Sequence, residues 1–159
     1  MIIAVTGHRD IVIYDKLIEE VNAFFLQMLE KHKSIILLSA LADGADQLVA
    51  NCSLKHQNIA LEVPLPMEKE AYLETLINKE NFLTLQKEAR HTFVVPKECE
   101  HPYENLGHYL VDNSDVLLAL WDGMYNAKKG GTSDVVAYAK SINQKLVIVP
   151  VKRNFIGDV

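Results

Sequence analysis

The chain contains very little cysteine and no long hydrophobic run. Its two cysteines, Cys52 and Cys99 among 159 residues, lack the spacing of a zinc site or a disulfide framework. The longest apolar run after the N-terminus, Val116–Trp121, is far shorter than the roughly 20 residues that a membrane-spanning helix needs. Residues 1–5 are apolar but too few for the core of a signal peptide. We therefore expect a cytoplasmic protein with no membrane partner, in which Cys52 is a core residue.

An excess of positive charge is also absent. The formal net charge is −5 and the sequence pI is about 5.6, whereas nucleic-acid-binding proteins normally carry a basic face. Nucleic acid is therefore not an expected partner. The side chains of His101, His108, Asp112 and Asp115 are scattered rather than spaced as metal ligands. We expect no metal, and no cofactor is predicted.

Several catalytic signatures are missing as well. Gly131-Thr132 lacks the lysine of a Walker-type Gly-Lys-Ser/Thr sequence, which disfavours ATP hydrolysis. No Gly-x-Gly-x-x-Gly follows the first apolar run, which disfavours a dinucleotide-dependent dehydrogenase. The absence of Gly-x-Ser-x-Gly and His-Glu-x-x-His argues against serine hydrolases and zinc enzymes.

Short apolar runs alternate with amphipathic segments along the chain. A continuous apolar run is typical of a strand covered on both faces, and apolar residues at helical spacing predict the helices between. The predicted strands cover residues 2–5, 35–38, 59–63, 92–95, 116–120 and 146–149. The predicted helices cover residues 14–32, 45–55, 68–77, 80–89 and 132–142, with another ending near residue 113.

This order of elements predicts an α/β fold with a doubly wound, mainly parallel sheet and helices on both faces. The sequence shows no linker, repeat or low-complexity segment. We expect a single domain over residues 1–159, with a core of about residues 2–150 and a peripheral tail after Val151.

Polar, glycine-bearing clusters follow several of the predicted strands. In a parallel sheet the carboxyl ends of the strands open on one edge, where such folds bind ligands. The first cluster is Thr6, Gly7, His8 and Arg9. Gly7 permits a sharp turn, and Arg9 either binds a phosphate or carboxylate or forms a structural ion pair. His8 is a hydrogen-bond donor to a ligand, a proton-transfer group or a residue that holds the loop.

The second cluster runs over residues 39–46, after the second predicted strand. Ser39 would face the crevice from the strand end, and Asp43-Gly44 is a turn signal. Asp43 is either a partner for ribose hydroxyls or, like Asp46, a carboxylate at the N-terminus of the next helix. Asp122, just after the fifth predicted strand, is open to the same two interpretations as Asp43. Its neighbour Trp121 would either stack on a base or simply pack.

The third cluster, Gly130, Gly131 and Thr132, precedes the last predicted helix. Two glycines without Cβ atoms would let the backbone approach a ligand closely. The N–H groups and positive end of the helix suit an anion, which Thr132 would also contact. A flexible loop in which Thr132 or Ser133 only caps the helix is the alternative. The strand-end pattern as a whole favours a small ligand that carries phosphate, most simply a nucleotide.

Four segments, in this order, resemble the SLOG superfamily, which joins DprA/Smf-type proteins, the LOG phosphoribohydrolases and related nucleotide-binding domains. They are Thr-Gly-His-Arg at residues 6–9, Ser-Ala-Leu-Ala-Asp-Gly-Ala-Asp at 39–46, Asn-Ser-Asp at 113–115 and Gly-Gly-Thr at 130–132. The resemblance covers residues 2 to about 149. It implies a Rossmann-like sheet with a crevice across the strand ends. It also implies that Gly130, Gly131 and Thr132 hold a phosphate, while Gly7 and residues 39–44 line the pocket.

The LOG enzymes have the motif Pro-Gly-Gly-x-Gly-Thr-x-x-Glu, whose glutamate assists cleavage of the N-glycosidic bond. Here Lys129 precedes Gly130, and Val135 stands three residues after Thr132. The nearest acid, Asp134, is one position earlier, which rotates a side chain by about 100° around a helix. The chain therefore departs from the motif at its catalytic position.

The leading hypothesis is a binding protein for a nucleoside monophosphate or an ADP-ribose-like molecule. Its phosphate would lie on Gly131 and Thr132 with support from Arg9, and its ribose near Asp43 or Asp122. Self-association as a homodimer or larger homo-oligomer is compatible with the resemblance, but the apolar stripes do not require it.

Two alternative hypotheses assign the chain to other functional classes. One is an enzyme of the phosphoribohydrolase or deoxyribosyltransferase type, in which Asp134 or Asp122 would stabilise the sugar cation or activate water. His8 would then protonate the leaving base. The other alternative is single-stranded DNA binding in the manner of DprA-like proteins, which would rest on a basic groove with stacking aromatics.

Overall fold

The computed structural model describes residues 1–154, in which strands and helices alternate from end to end. The strands are β1 (Ile2–Gly7), β2 (Ile35–Leu38), β3 (Ile59–Leu65), β4 (His91–Val94), β5 (Val116–Trp121) and β6 (Lys145–Pro150). The helices are α1 (Asp15–Lys31), α2 (Ala45–Ser53), α3 (Lys69–Leu73), α4 (Lys79–Glu88), α5 (Pro102–Asp112) and α6 (Thr132–Ser141). Each predicted strand is present, with ends within two residues of those expected.

The strands form one sheet in the order β4-β3-β2-β1-β5-β6. Every neighbouring pair is parallel, so the prediction of a doubly wound α/β sheet is confirmed. The chain builds outward from β1 to β4 and then crosses back to add β5 and β6 on the other side. The connections after β1 and β5 therefore leave in opposite directions and open a crevice between them.

Helices cover both faces of the sheet. Helix α2 contacts α1 and α4, whereas α5 and α6 contact each other, as right-handed crossovers in the two directions require. The apolar stripe of α1 packs on the core, as its spacing predicts; it comprises Leu17, Val21, Phe24, Phe25 and Met28. Strand β5 is buried along its whole length, which explains its continuous apolar sequence.

Strand β3 continues through Pro64, although the sequence predicted an end at Val63. Strand β2 pairs with β3 only as far as Glu62, and the backbone oxygen of Glu62 faces β2. Pro64 lies two residues further and faces the same side, beyond the last paired residue of β2. Its missing N–H therefore removes no ladder hydrogen bond, and the other side of β3 pairs with β4 through Leu65.

The helix predicted over residues 68–77 is shorter, and ends at Leu73. The carboxylate of Asp43 explains this, because its two oxygens accept the backbone N–H groups of Ile77 and Asn78 at 2.8 Å each. Thr75 turns the chain between these points, donating its hydroxyl to the carbonyl of Tyr72. A side chain 34 residues away in the sequence thus replaces the helical partners of this segment.

The described part of the tail after Val151 is tied to the loop that follows β1. Val12 donates its N–H to the carbonyl of Lys152, Asn154 donates to that of Asp10, and Ile11 and Arg153 form an antiparallel bridge. Residues 152–154 therefore pair with the loop after β1, and the expectation of a peripheral tail is wrong for them. The expectation for residues 155–159 lies outside the described part of the chain.

Candidate functional site

A cavity of about 380 Å³ lies at the carboxyl ends of β1 and β5. This is the point where the strand order reverses, and where ligands bind in open α/β sheets. Its volume is within the range of small-molecule sites. The residues expected at the site that line it are Thr6, Gly7, His8, Arg9, Gly130, Gly131 and Thr132. The tertiary structure thus brings the first and third sequence clusters together around one cavity.

Arg9 is held in the cavity by neutral partners. Its guanidinium carbon is 5.8 Å from the centroids of both the Tyr72 and the Tyr103 rings. Nη1 donates to the Thr75 carbonyl at 2.9 Å and lies 3.3 Å from the Thr75 hydroxyl. Within residues 1–154 no carboxylate forms an ion pair with Arg9. The cation is thus braced by two aromatic faces and keeps N–H groups for an anion.

The hydroxyl groups of three largely buried residues line the same cavity without a protein partner. Thr6 and Thr132 are 8% and 7% exposed, and Tyr72 is 1% exposed. Among the described residues, none of these three hydroxyls makes a hydrogen bond. The three oxygens are not sealed inside the protein; they are open to the cavity and available for hydrogen bonds with a polar ligand.

The first turn of α6 faces this cavity. Gly131 is its N-cap, and no side chain caps the helix, so the first N–H groups have no partner within the helix. Gly130 has a φ of 72°, and a Cβ there would lie 2.4 Å from the Tyr103 carbonyl carbon. The glycine is therefore required by packing on α5, which differs from the expected role in ligand approach.

Gly7 shows the same difference. A Cβ on Gly7 would lie 2.3 Å from the Cβ of Ala45 in α2. The residue extends β1 instead of forming a sharp turn. Its small size lets α2 approach the strand closely, and so fixes the wall of the cavity next to Thr6.

His8 is buried at the end of β1 and lies against β5. Its Nε2 accepts the backbone N–H of Asp122 at 3.3 Å and is also 3.3 Å from Asp122 Oδ1. Burial is the largest effect on the pKa of His8 and lowers it; Arg153 lowers it further, while Asp122 and Asp10 act in the opposite direction. The imidazole is therefore neutral at neutral pH, and it links the ends of the two strands at the switch point.

Asp46, in the first turn of α2, also lines the cavity. Its side chain is buried, and Oδ2 accepts the N–H of Ala42 at 3.3 Å. Desolvation raises the pKa of Asp46 to about 7, against the lowering effects of the Ala42 hydrogen bond and the positive charge of Arg9. A carboxyl group with a pKa near neutrality inside a cavity is typical of functional sites.

The second sequence cluster contributes less to the cavity than expected. Ser39 is fully buried, donates to the carbonyl of Asp46 and accepts the N–H of Leu41. Both carboxylate oxygens of Asp43 are used by Ile77 and Asn78. Asp43 and Gly44 line a separate depression behind Arg9. We therefore do not include Ser39, Asp43 or Gly44 among the proposed ligand contacts.

The two acids expected to act on a sugar are held by backbone groups. Oδ2 of Asp134 accepts the N–H of Gly130 at 2.9 Å, which ties the loop to the first turn of α6. Oδ1 of Asp122 accepts the N–H of Met124 at 2.9 Å, and Oδ2 is 4.0 Å from Arg153. Neither carboxylate lines the cavity, so the structure gives no basis for a catalytic role of either.

Seven polar cavity residues lie outside the site residues expected from the sequence: Asp10, Asp46, Tyr72, Tyr103, Asn126, Lys128 and Arg153. Tyr72 and Tyr103 come from α3 and α5, far from any glycine-bearing cluster, and no local pattern marks them. Lys128 lies two residues before Gly130, and its sequence context is equally typical of a flexible loop. With Arg9, the cavity has three cationic side chains against the carboxyls of Asp10 and Asp46, although the whole chain has a net charge of −5.

Two further predictions from the sequence concern metal ions and the membrane. Within residues 1–154 no three histidine, cysteine or acidic side chains are grouped so that they could hold a metal ion. In the same range, no helix combines the length and the apolar character required to span a membrane.

The fold is shared with solved structures of two kinds. DNA processing protein A from Helicobacter pylori, a single-stranded DNA-binding protein, matches with a TM-score of 0.64 and 12% identity, over 97% of this chain and 67% of its own. The molybdenum cofactor carrier protein from Chlamydomonas reinhardtii matches with a TM-score of 0.54 and 16% identity, over 93% of this chain and 75% of its own. At these identities the likeness establishes the Rossmann-like fold.

Sequence comparisons add nothing to this. No protein-family model matches the chain, and no curated protein matches it.

Proposed function

We propose that the protein binds a nucleotide or nucleotide-derived ligand, such as a nucleoside monophosphate or an ADP-ribose-like molecule, in the cavity at the ends of β1 and β5. The phosphate lies between Arg9 and the first turn of α6, where Gly131 and Thr132 contact it. The proposed function is binding, in which Arg9 and the N-terminus of α6 recognise the phosphate of the ligand.

The observation that carries the proposal is the state of Arg9. The guanidinium is braced by Tyr72 and Tyr103 and is not neutralised by a carboxylate in the described part of the chain. The backbone and Cβ of Tyr103 also pack against Gly130, so the guanidinium and the loop that leads into α6 both border this residue. A cation and a helix N-terminus on one cavity form a strong site for an anion.

The size of the cavity favours a single small ligand. A volume of about 380 Å³ is at the lower end of the range for small-molecule sites. The unpaired hydroxyls of Thr6, Tyr72 and Thr132 would supply hydrogen bonds to the phosphate and sugar oxygens. The half-buried ring of Tyr103 would offer an apolar surface beside them.

We also propose that the chain belongs to the SLOG superfamily. Two observations support this: the four sequence segments occur in the expected order, and the fold is shared with DNA processing protein A over nearly the whole chain. Residues 6–9 and 130–132, which carry most of the resemblance, lie together on the cavity.

A thermal-shift screen tests the proposed function. The panel contains purine and pyrimidine monophosphates, ADP-ribose, NAD and cyclic dinucleotides. A ligand at a hundred times its Kd should stabilise the protein by about 2.7 kcal/mol, which raises Tm by several degrees. Arg9→Ala should weaken the binding of the best ligand roughly 10- to 100-fold, because a hydrogen bond to a charged group is lost.

Lys87→Ala is the matched control, since it removes one positive charge from the exposed last turn of α4, outside the cavity. This variant should bind like the wild type. Absence of a shift with every phosphate-bearing compound would contradict the proposed function and would direct attention to protein partners.

Single-stranded DNA is a second candidate, favoured by the likeness to DNA processing protein A. Fluorescence anisotropy with a labelled oligonucleotide tests it. DNA binding through phosphates would fall steeply with added salt and would be weakened by Arg9→Ala and Lys128→Ala. An oligonucleotide that shows no binding at low salt would remove this candidate.

A further inference from the structure

Asp46 presents one carboxylate oxygen to the cavity without a partner. Oδ2 accepts the N–H of Ala42, whereas Oδ1 makes no hydrogen bond within the described residues. The residue is 8% exposed and lines the cavity near Arg9 and Tyr72. Asp46 is the second residue of α2, and its position is fixed because this helix packs on β1 and β3.

The role of Asp46 is not to hold Arg9. The two side chains form no direct ion pair, and Arg9 acts on the carboxyl only through space. The guanidinium takes its position from Thr75, Tyr72 and Tyr103 instead. The carboxyl of Asp46 is thus left for the contents of the cavity.

An anion bound to Arg9 would lie beside this carboxyl. Two negative charges at one guanidinium repel each other in a poorly solvated site. A neutral carboxylic acid changes the contact into a favourable one, because its O–H donates a hydrogen bond to the anion. Carboxyl groups kept neutral by an apolar site act in this way in some enzymes.

We propose that Asp46 contacts the ligand as a neutral carboxylic acid and donates a hydrogen bond from Oδ1 to the oxyanion that Arg9 holds. The inference rests on the proposed function and specifies its chemistry: the cavity takes a phosphate- or sulfate-type oxyanion together with one proton on Asp46. The anion is therefore bound more tightly at low pH.

The protonation of the other groups around Asp46 supports this interpretation. Burial raises the pKa of Asp46 to about 7, so the carboxyl ionises between pH 6 and pH 8. Burial lowers the pKa of His8 and raises that of Tyr72, so the first group ionises at lower pH, and the second at higher pH, than is ordinary for its type. The remaining charged groups on the cavity are Arg9, Asp10, Lys128 and Arg153, and the ring of Tyr103 faces Arg9.

Sulfate is the probe, because its charge does not change between pH 6 and pH 8. Its Kd is measured by calorimetry at constant ionic strength. With the pKa of Asp46 at about 7, wild-type binding should be about tenfold weaker at pH 8 than at pH 6. Asp46→Asn should bind equally at both pH values, and more tightly than the wild type at pH 8, because an amide donates at any pH.

Glu80→Gln, which removes an exposed carboxyl from the first turn of α4, should keep the wild-type pH dependence. Wild-type affinity that is constant or rises with pH would overturn the inference and leave the anion site intact. Weaker binding by Asp46→Asn at pH 8 than by the wild type would also overturn it, since Asp46 would then act as a carboxylate. No saturable sulfate binding at either pH would contradict the proposed function itself.

Discussion

At the scale of single residues, the buried carboxyl of Asp46 should make the stability of the protein depend on pH. Its pKa is about 7 in the fold, against an ordinary value of 3.8. The folded state therefore binds one more proton than the unfolded state between these values, and stability falls as pH rises from about 4 to about 7. Asp46→Asn should remove this loss, which is on the order of 3 kcal/mol between pH 5 and pH 8. Urea unfolding at pH 5 and pH 8 measures it. Parallel pH profiles for Asp46→Asn and the wild type would contradict the prediction, and Glu80→Gln is expected to follow the wild type.

At the scale of elements, the loop between β5 and α6 depends on the close contact of Gly130 with the start of α5. Gly130→Ala should cost more than the 1–2 kcal/mol of a left-handed backbone, because its Cβ would meet the Tyr103 backbone at 2.4 Å. The variant should also weaken nucleotide binding by displacing α6. Gly123→Ala is the matched control, since Gly123 has a φ of 84° but a Cβ there would meet nothing within 4 Å. Equal losses in urea unfolding for the two variants would show that the contact with α5 has no effect.

At the scale of the whole molecule, the two ends of the described chain meet at the cavity. Nε of Arg153 donates to Asp10 Oδ1 at 2.9 Å, across 143 positions of sequence. Arg153 also lowers the pKa of His8. Arg153→Met should therefore raise the pKa of His8, which an NMR titration of the imidazole would measure. Lys152→Met, whose side chain is exposed, should leave that pKa unchanged. An unaltered His8 titration in Arg153→Met would show that the tail does not affect the cavity.

Much of the fold was predictable because its signals are local. The apolar run of β5 and the apolar stripe of α1 each reflect burial of one element, and burial selects residues at the period of that element. The ends of α3 and β3 were not predictable in this way. The carboxylate of Asp43 ends the first from another part of the chain, and the length of β2 explains how Pro64 is tolerated in the second.

The residues of the candidate site were also predictable only in part. Thr6, Arg9 and Thr132 could be selected from the sequence because they follow strands, and parallel strands end at one edge of a sheet. Asp43 has an equally suggestive position, yet its oxygens are used by backbone groups of a distant segment. A strand-end position indicates that a residue is near the site, and only the hydrogen bonds show whether its side chain is available.

The sequence by itself determined the order of the elements, the parallel sheet and the edge at which polar residues gather, since each depends on short-range periodicity and on strand direction. The tertiary structure decided which side chains meet. It placed the rings of Tyr72 and Tyr103 against Arg9 and buried Asp46, which raises the pKa of its carboxyl to about 7. Those properties arise from desolvation and from contacts between residues far apart in the chain, which no local pattern encodes.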